Sequence, residues 1–184
     1  MHLALTVLPS GAPLGYAATQ SSTLVGLDPR PIRVEVSCTR GPPFFQMVGL
    51  AQAAVRESRV RAASALSRLG VLLDEYALTV NLAPADLRKS GASLDLAVAV
   101  AVLAATGKIP AESAGLPLLL GELALDGALR PIRGVLPQVA GARDRGLPVA
   151  IVPEANRAEA GLVGGIDVRV ARTLDELVRH LRGA

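Results

Sequence analysis

Residues 81–106 read NLAPADLRKSGASLDLAVAVAVLAAT, and this stretch decides the fold that the sequence predicts. It begins as the end of a strand, passes through a polar loop with proline and glycine, and continues into alanine, valine and leucine. A helix that is apolar all round is buried on most sides. The sequence therefore predicts a central helix, from about residue 93 to residue 106, that other elements cover.

The loop that opens this helix admits two interpretations. Backbone N–H groups at a helix N-terminus can bind an anion. Alternatively, Ser93 caps the helix and Asp95 interacts favourably with the helix dipole, and no ligand is involved. Spacing alone favours the second interpretation.

Strand and helix patterns are interleaved on both sides of the central helix. Alternating apolar residues at 32–37 predict a half-buried strand, and the two prolines at 28–31 predict a break before it. Asp126-Gly127 is a strong hairpin signal, and Thr173 with Glu176 has the spacing of a capping box. The other predicted strands are 3–7, 21–27, 44–48, 77–82, 118–125, 128–131, 149–152 and 166–170, and the other helices are 50–69, 136–145, 154–161 and 173–181. This pattern predicts an α/β or α+β fold, a mixed sheet packed with helices, in one domain over residues 1–184.

The helix at 50–69 has the clearest amphipathic pattern. Its predicted apolar face carries Val55, Ala62, Leu66 and Leu69, and its predicted polar face carries Glu57, Arg61, Ser64 and Arg68. Glu57 precedes Arg61 by four residues, a spacing that allows an ion pair along the helix.

Composition excludes several classes of function. Aromatic residues make up 2% of the chain, which argues against a platform for stacking bases. Cys38 is the only cysteine, and His2 and His180 are the only histidines, so a disulfide or a zinc centre is not expected. The longest apolar run, Leu96 to Ala105, is too short to span a bilayer, and we expect a cytoplasmic protein without a membrane partner.

The positive charge is concentrated in one segment. The formal net charge is +3, whereas residues 28–68 contain seven arginines and three acids, a local balance of +4. Such an excess is compatible with a polyanionic partner. A coding bias explains the excess better, because 17 of the 19 cationic residues are arginine in a chain rich in alanine and leucine.

Four ordered segments resemble one known family. They are Val48-Gly49-Leu50, residues 54–63 (AVRESRVRAA), residues 81–96 and residues 121–130 (GELALDGALR). The chain, from about residue 1 to 182, resembles the N-terminal domain of the magnesium-chelatase-like AAA+ ATPases, the ComM/YifB family. The resemblance implies a Lon-protease-like fold, also found in the C-terminal domain of RadA-type recombination proteins. It also implies that ATP and magnesium bind in a separate AAA+ module, so we expect no cofactor in this domain.

The family motifs also supply structural and degenerate positions. We interpret eight motif residues as structural: Asn81, Pro84, Asp86, Gly91, Asp95, Gly121, Glu122 and Gly127. In Lon-type peptidases a serine in a Gly-x-Ser is the nucleophile, and its counterpart here is Ser93. The activating lysine follows a motif that matches residues 131–135, where this chain has Leu136. Leucine cannot accept a proton, so we expect no catalytic residue and no peptidase activity.

The resemblance implies a role in DNA processing, because the family is associated with DNA uptake, recombination and branch migration. We therefore expect a non-catalytic accessory domain, with Arg56, Arg61, Arg68, Arg88 and Lys89 as candidate contacts to DNA phosphates. The alternative is a structural domain that mediates self-association in a ring or recruits proteins, with Phe44 and Phe45 in the contact surface. Metal insertion, which the chelatase name suggests, has no support in the sequence.

Overall fold

The structure is a computed structural model, and it describes residues 15–39, 41–49, 52–87, 89 and 92–183. The predicted strand at 3–7 and the candidates Arg88 and Gly91 lie outside the described residues. The strands are β1 (Tyr16–Val25), β2 (Asp28–Thr39), β3 (Phe44–Val48), β4 (Ala77–Ala83), β5 (Leu118–Leu119), β6 (Glu122–Leu123), β7 (Leu129–Arg130), β8 (Val149–Pro153) and β9 (Asp167–Ala171). The α-helices are α1 (Gln52–Ser67), α2 (Asp95–Ala105), α3 (Ala111–Gly115), α4 (Val135–Asp144), α5 (Arg157–Ala160) and α6 (Leu174–Leu181).

Seven of these strands form one mixed sheet in the order β3-β4-β2-β1-β5-β8-β9. Strands β1, β2 and β4 pair antiparallel, while β3 pairs parallel to β4, and β5, β8 and β9 continue parallel from β1. Strands β6 and β7 form a separate hairpin around Asp126-Gly127, as predicted. The expected mixed sheet with helices packed on it is therefore confirmed.

The break predicted at residues 28–31 is wrong, because both prolines lie inside β2. Pro29 and Pro31 pair with β1, whereas the pairing of β2 with β4 begins only at Arg33. Within the described residues no strand pairs with the open side of β2 at these positions. Proline is tolerated there because its missing N–H would have no acceptor.

Helix α2 lies in the centre of the larger hydrophobic core, and all eleven of its residues are buried. This confirms the predicted central helix. The predicted N-cap is corrected, because a short 3-10 turn, Ala92–Leu94, precedes α2 and Leu94 occupies the N-cap without a side-chain cap bond. A second, smaller core lies between β5, β8 and α4. No helix in the described ranges is long and apolar enough to cross a membrane.

Candidate functional site

A buried ion pair joins the inner side of α1 to the start of α2. The Asp95 side chain is fully buried and accepts hydrogen bonds from Arg61 Nε at 2.5 Å and Arg61 Nη2 at 3.2 Å. Ser58 Oγ donates to the same carboxylate at 2.9 Å, and the backbone N–H of Leu123 donates at 3.3 Å. Four donors on one carboxylate satisfy a charge that could not otherwise be buried.

The electrostatics of this pair are set by its burial. Burial raises the pKa of the Asp95 carboxyl, and the donors from Arg61, Ser58 and Leu123 oppose that rise. The hydrogen bond to Asp95 raises the pKa of the Arg61 guanidinium. Two expectations are corrected here. Arg61 was expected on an exposed polar face, but its guanidinium is engaged with Asp95. Asp95 was expected to interact with the helix dipole, but it is the buried ion-pair partner of Arg61.

Three arginines on or directly after α1 are exposed to solvent, two on the helix and one in the turn that follows Ser67. Arg56, Arg59 and Arg68 are all exposed. Arg59 lies 3.9 Å from Asp74 and 5.6 Å from the centroid of the Phe45 ring. Arg56 and Arg68 have no hydrogen bond or ion pair with a described residue. This set of three, called the α1 arginines below, leaves out Arg61 because its guanidinium is engaged with Asp95.

Lys89 is held by backbone carbonyl groups. Its Nζ donates to Gly49 O and Leu87 O, each at 3.2 Å, and to Pro84 O. Burial lowers the pKa of the Lys89 ammonium, and nearby Asp86 acts in the opposite direction. With its donors engaged in this way, Lys89 fixes the loop after β4 to the end of β3.

A cleft of about 810 Å³ opens beside Ser93. One wall is the end of β1 with the following turn, Thr23–Gly26, and the opposite wall is Pro131–Arg133. The remaining lining residues are Lys89, Ala92, Ser93, Glu122 and Gln138. The cleft is thus built from the β1–β2 hairpin, the loop before α2 and the start of α4.

Ser93 and Lys89 both line the cleft, and the described contacts of Lys89 are with backbone carbonyl groups. A protonated lysine has three donors and no acceptor, and the Lys89 donors point to carbonyl groups. Leu136 is the second residue of α4. It is not among the described residues that line the cleft. Its backbone N–H donates to Glu159 at 2.9 Å.

Most of the family-motif residues have roles in packing or turns. Asn81 Nδ2 donates to Glu35 at 2.9 Å, Glu122 lies 3.5 Å from Arg130, and Gly127 adopts a φ of 85° in the hairpin turn. Gly121 donates its N–H to Ser93 O and accepts from Leu96 N, which attaches the start of α2 to the strand region. Pro84 follows a cis peptide bond, and Asp86 is exposed. No group of three His, Cys, Asp or Glu side chains in the described ranges could hold a metal ion.

The sequence reasoning missed Ser58, Arg133 and Gln138. Ser58 could have been found from Asp95, because an acid in a fully apolar helix requires buried donors. Arg133 and Gln138 carry no comparable signal, because their position in the cleft depends on the packing of α4 against the β1–β2 hairpin.

Comparison with known proteins identifies relatives of this chain. Residues 34–156 match the family described as ChlI, subunit ChlI of Mg-chelatase. The chain is 47% identical to the uncharacterized protein Rv2897c of Mycobacterium tuberculosis. The aligned region of 159 residues covers 86% of the chain and 32% of that protein. The chain is 38% identical to YifB of Escherichia coli and 34% identical to the competence protein ComM of Haemophilus influenzae, each over 170 residues, 92% of the chain and 33% of the relative. The chain therefore spans about a third of the length of these relatives.

A weaker similarity reaches the Lon proteases. Lon protease 2 of Bacillus subtilis is 28% identical over 117 residues, which covers 63% of the chain and 21% of that protein. Together with the mixed sheet and its helices, this similarity supports the expected Lon-like α+β fold.

Proposed function

Because the chain belongs to the magnesium-chelatase ChlI family and is related to YifB and ComM, we propose that it is a non-catalytic accessory domain that engages DNA for a longer ATPase. The α1 arginines carry this proposal. They place two exposed positive charges on α1 and a third in the turn directly after it, and two of the three have no partner among the described residues. Exposed arginines of this kind bind phosphate oxygens.

The chemistry of the surface favours contact with phosphates over contact with bases. The chain has two tyrosines, two phenylalanines and no tryptophan, and Phe45 is partly buried beneath Arg59. Binding through arginine alone releases counterions, so the affinity falls steeply as salt rises. The slope of log K against log salt decreases by about 0.9 for each phosphate contact that is removed from duplex DNA.

A fluorescence-anisotropy titration with labelled single- and double-stranded DNA tests the proposal. We expect binding at low ionic strength that weakens strongly when the salt concentration is raised. The triple variant R56A/R59A/R68A should bind more weakly at every DNA sequence, with a salt slope reduced by about two to three units, since up to three phosphate contacts are lost.

A matched triple variant distinguishes a local surface from overall charge. R157A/R169A/R179A removes the same formal charge from arginines that are paired to Glu154, Asp167 and Asp175 on other elements. The proposal predicts little change in this variant. Equal losses in both triple variants, or no binding at low salt, would rule out a DNA contact through α1.

A second candidate function, association of copies in a ring, is supported by β3. This strand is at one edge of the described sheet, and Phe44 and Val48 are 47% and 41% exposed on it. Exposed edge strands pair readily with other chains. Sedimentation at increasing protein concentration would test this role, and self-association that V48K abolishes would support it.

The proposed absence of catalysis rests on Leu136 and on the contacts of Lys89. Without a base at position 136, Ser93 is not activated for attack. Labelling of Ser93 by a fluorophosphonate would contradict this part of the proposal.

A further inference from the structure

A groove of about 370 Å³, called the α3–α6 groove below, lies between the end of α3 and the end of α6. Val149 and Ile151 of β8 line its base, and because they are two residues apart they point to the same face of the sheet. Leu116 and Pro117 line the α3 side, and Leu181 lines the α6 side. The volume lies within the usual range for small-molecule sites, and the described lining shares no residue with the larger cleft.

One apolar side chain of the groove is open to solvent. Leu116, directly after α3, is 60% exposed, whereas Ile151 and Leu181 are 2% and 7% exposed. Covering such a side chain with an apolar group removes apolar surface from water and is favourable. The groove therefore offers an apolar wall to a ligand.

The polar part of the groove is formed by basic side chains. Arg169 Nη1 lies 2.8 Å from His180 Nε2, and Arg182 at the end of α6 lines the same groove. A guanidinium has donors only, so His180 Nε2 accepts in this contact and the ring is neutral. Two side chains whose charged forms repel each other thus meet at one place, where an anion would be stabilised by both.

Both arginines are held in position through their Nε atoms. Arg169 Nε donates to Asp167 at 2.7 Å, and Arg182 Nε donates to Lys108 O at 2.9 Å. The Nη atoms of Arg182 have no hydrogen bond with a residue that the structure describes. A guanidinium fixed in this way directs its terminal donors, and such paired donors match the two oxygens of a carboxylate.

The charge of the groove selects the head group of the ligand. No acidic side chain is among its described lining residues. Asp167 offsets the charge of Arg169, and the charge of Arg182 is not offset by a described ion pair. One negative charge balances this excess, so a carboxylate fits better than a phosphate, which carries nearly two.

We propose that the α3–α6 groove binds a small amphiphilic carboxylate, with its apolar body against Leu116 and Val149 and its head group between Arg169 and Arg182. The carboxylate oxygens accept hydrogen bonds from the Nη groups of the two arginines. This site is separate from the α1 arginines and does not depend on the DNA-binding proposal.

Four small molecules test the proposal by NMR titration of the whole isotope-labelled chain. They are octanoate, octanamide, acetate and octyl phosphate. We expect octanoate to cause saturable shifts of the amides of residues 116, 169 and 182. Octanamide should bind at least about tenfold more weakly because it lacks the charge, and acetate at least about tenfold more weakly because it lacks the apolar body. Octyl phosphate should bind no more tightly than octanoate.

Two matched pairs of variants localise the binding. R182Q should weaken octanoate by about tenfold, whereas R157Q removes the same formal charge at an exposed pair with Glu154 on α5 and should leave it unchanged. L116S should weaken octanoate by about threefold to tenfold, whereas L162S, at a residue that is 74% exposed and outside the described lining of the groove, should not. Circular dichroism confirms that the four variants are folded.

Several results would overturn the proposal. These are the absence of saturable octanoate binding at millimolar concentrations, acetate or octanamide that binds as tightly as octanoate, and R182Q or L116S that behaves like its control. Tighter binding of octyl phosphate than of octanoate would overturn the assignment of a carboxylate head group.

Discussion

Helix α1 has two sides on which arginine has opposite environments. On the inner side, Arg61 is largely buried and forms a bidentate pair with Asp95, supported by Ser58. On the outer side, Arg56 is exposed without a described partner, and Arg59 is exposed with Asp74 and the Phe45 ring nearby. Arg68, in the turn after the helix, is also exposed without a described partner. The same residue type thus stabilises the fold on one side and is available to a partner on the other.

This difference shows what decides the role of an arginine in this chain. The neighbours of Arg61 in sequence do not settle its environment, because Val60 is 60% exposed and Ser58 is buried. The buried carboxylate of Asp95, from a helix 34 residues further along the chain, makes Arg61 structural. Where no such acid faces an arginine, its charge remains available for phosphate groups.

The largest effect is expected from R61L. This variant leaves Asp95, which is fully buried, without its ion-pair partner, and breaking a buried pair in this way costs about 3–5 kcal/mol. D95L should cost less, because Arg61 retains 19% exposure and lies 3.8 Å from Glu57 at the surface. Chemical denaturation measures both, and the double variant R61L/D95L should recover much of the loss. A greater loss in D95L than in R61L would contradict this assignment.

The R61L variant also has a predictable dependence on pH. Burial raises the pKa of the Asp95 carboxyl in the folded state, and R61L removes the main group that opposes the rise. Between the unfolded and folded pKa values, the folded state then binds more protons than the unfolded state, so stability falls as pH rises. The deficit of R61L should therefore shrink as the pH is lowered towards the pKa of an unfolded aspartate, about 3.9.

Much of the fold follows from sequence pattern alone. The apolar run at 96–105 is longer than a typical strand and shorter than a membrane span, so it predicts a buried helix. The Asp126-Gly127 turn has the glycine that its φ of 85° requires. The prolines of β2 led to the wrong prediction of a break, because proline lacks the backbone N–H that a paired strand donates. The sheet order shows that no strand pairs with that side of β2 at Pro29 and Pro31 in the described residues, so the N–H is not needed.

The sites were less accessible to sequence analysis for a physical reason. A helical pattern gives the direction of each side chain around its own axis, and it predicted Arg61 to be exposed beside Arg68. It contains no information on a carboxylate that another helix brings within 2.5 Å. The cleft is a stronger example, because its described lining comes from residues 23–26, 89, 92–93, 122, 131–133 and 138, which are distant in sequence.

A smaller loss is expected from S58A. Ser58 is 1% exposed, and its hydroxyl donates to Asp95 at 2.9 Å, while Arg61 and the Leu123 N–H continue to satisfy the carboxylate. Hydrogen bonds to charged groups contribute about 1.5–3 kcal/mol, so S58A should lie at or below the lower end of that range. The matched control is S67A on the same helix, where an exposed hydroxyl donates to Ser64 O at 2.8 Å. A similar loss of stability in both variants would show that the hydrogen bond from Ser58 to Asp95 contributes no more than the exposed one from Ser67.

The smallest effect is expected on the outer side, from R59L. Arg59 is 48% exposed, Asp74 is 93% exposed at 3.9 Å, and the Phe45 ring is 5.6 Å away. Exposed ion pairs and cation–π contacts each contribute up to about 1 kcal/mol, so denaturation should detect a loss of about 1 kcal/mol or less, and high salt should reduce it. A loss as large as that of R61L would mean that Arg59 stabilises the fold. It would then no longer belong with Arg56 and Arg68 as a charge available to DNA.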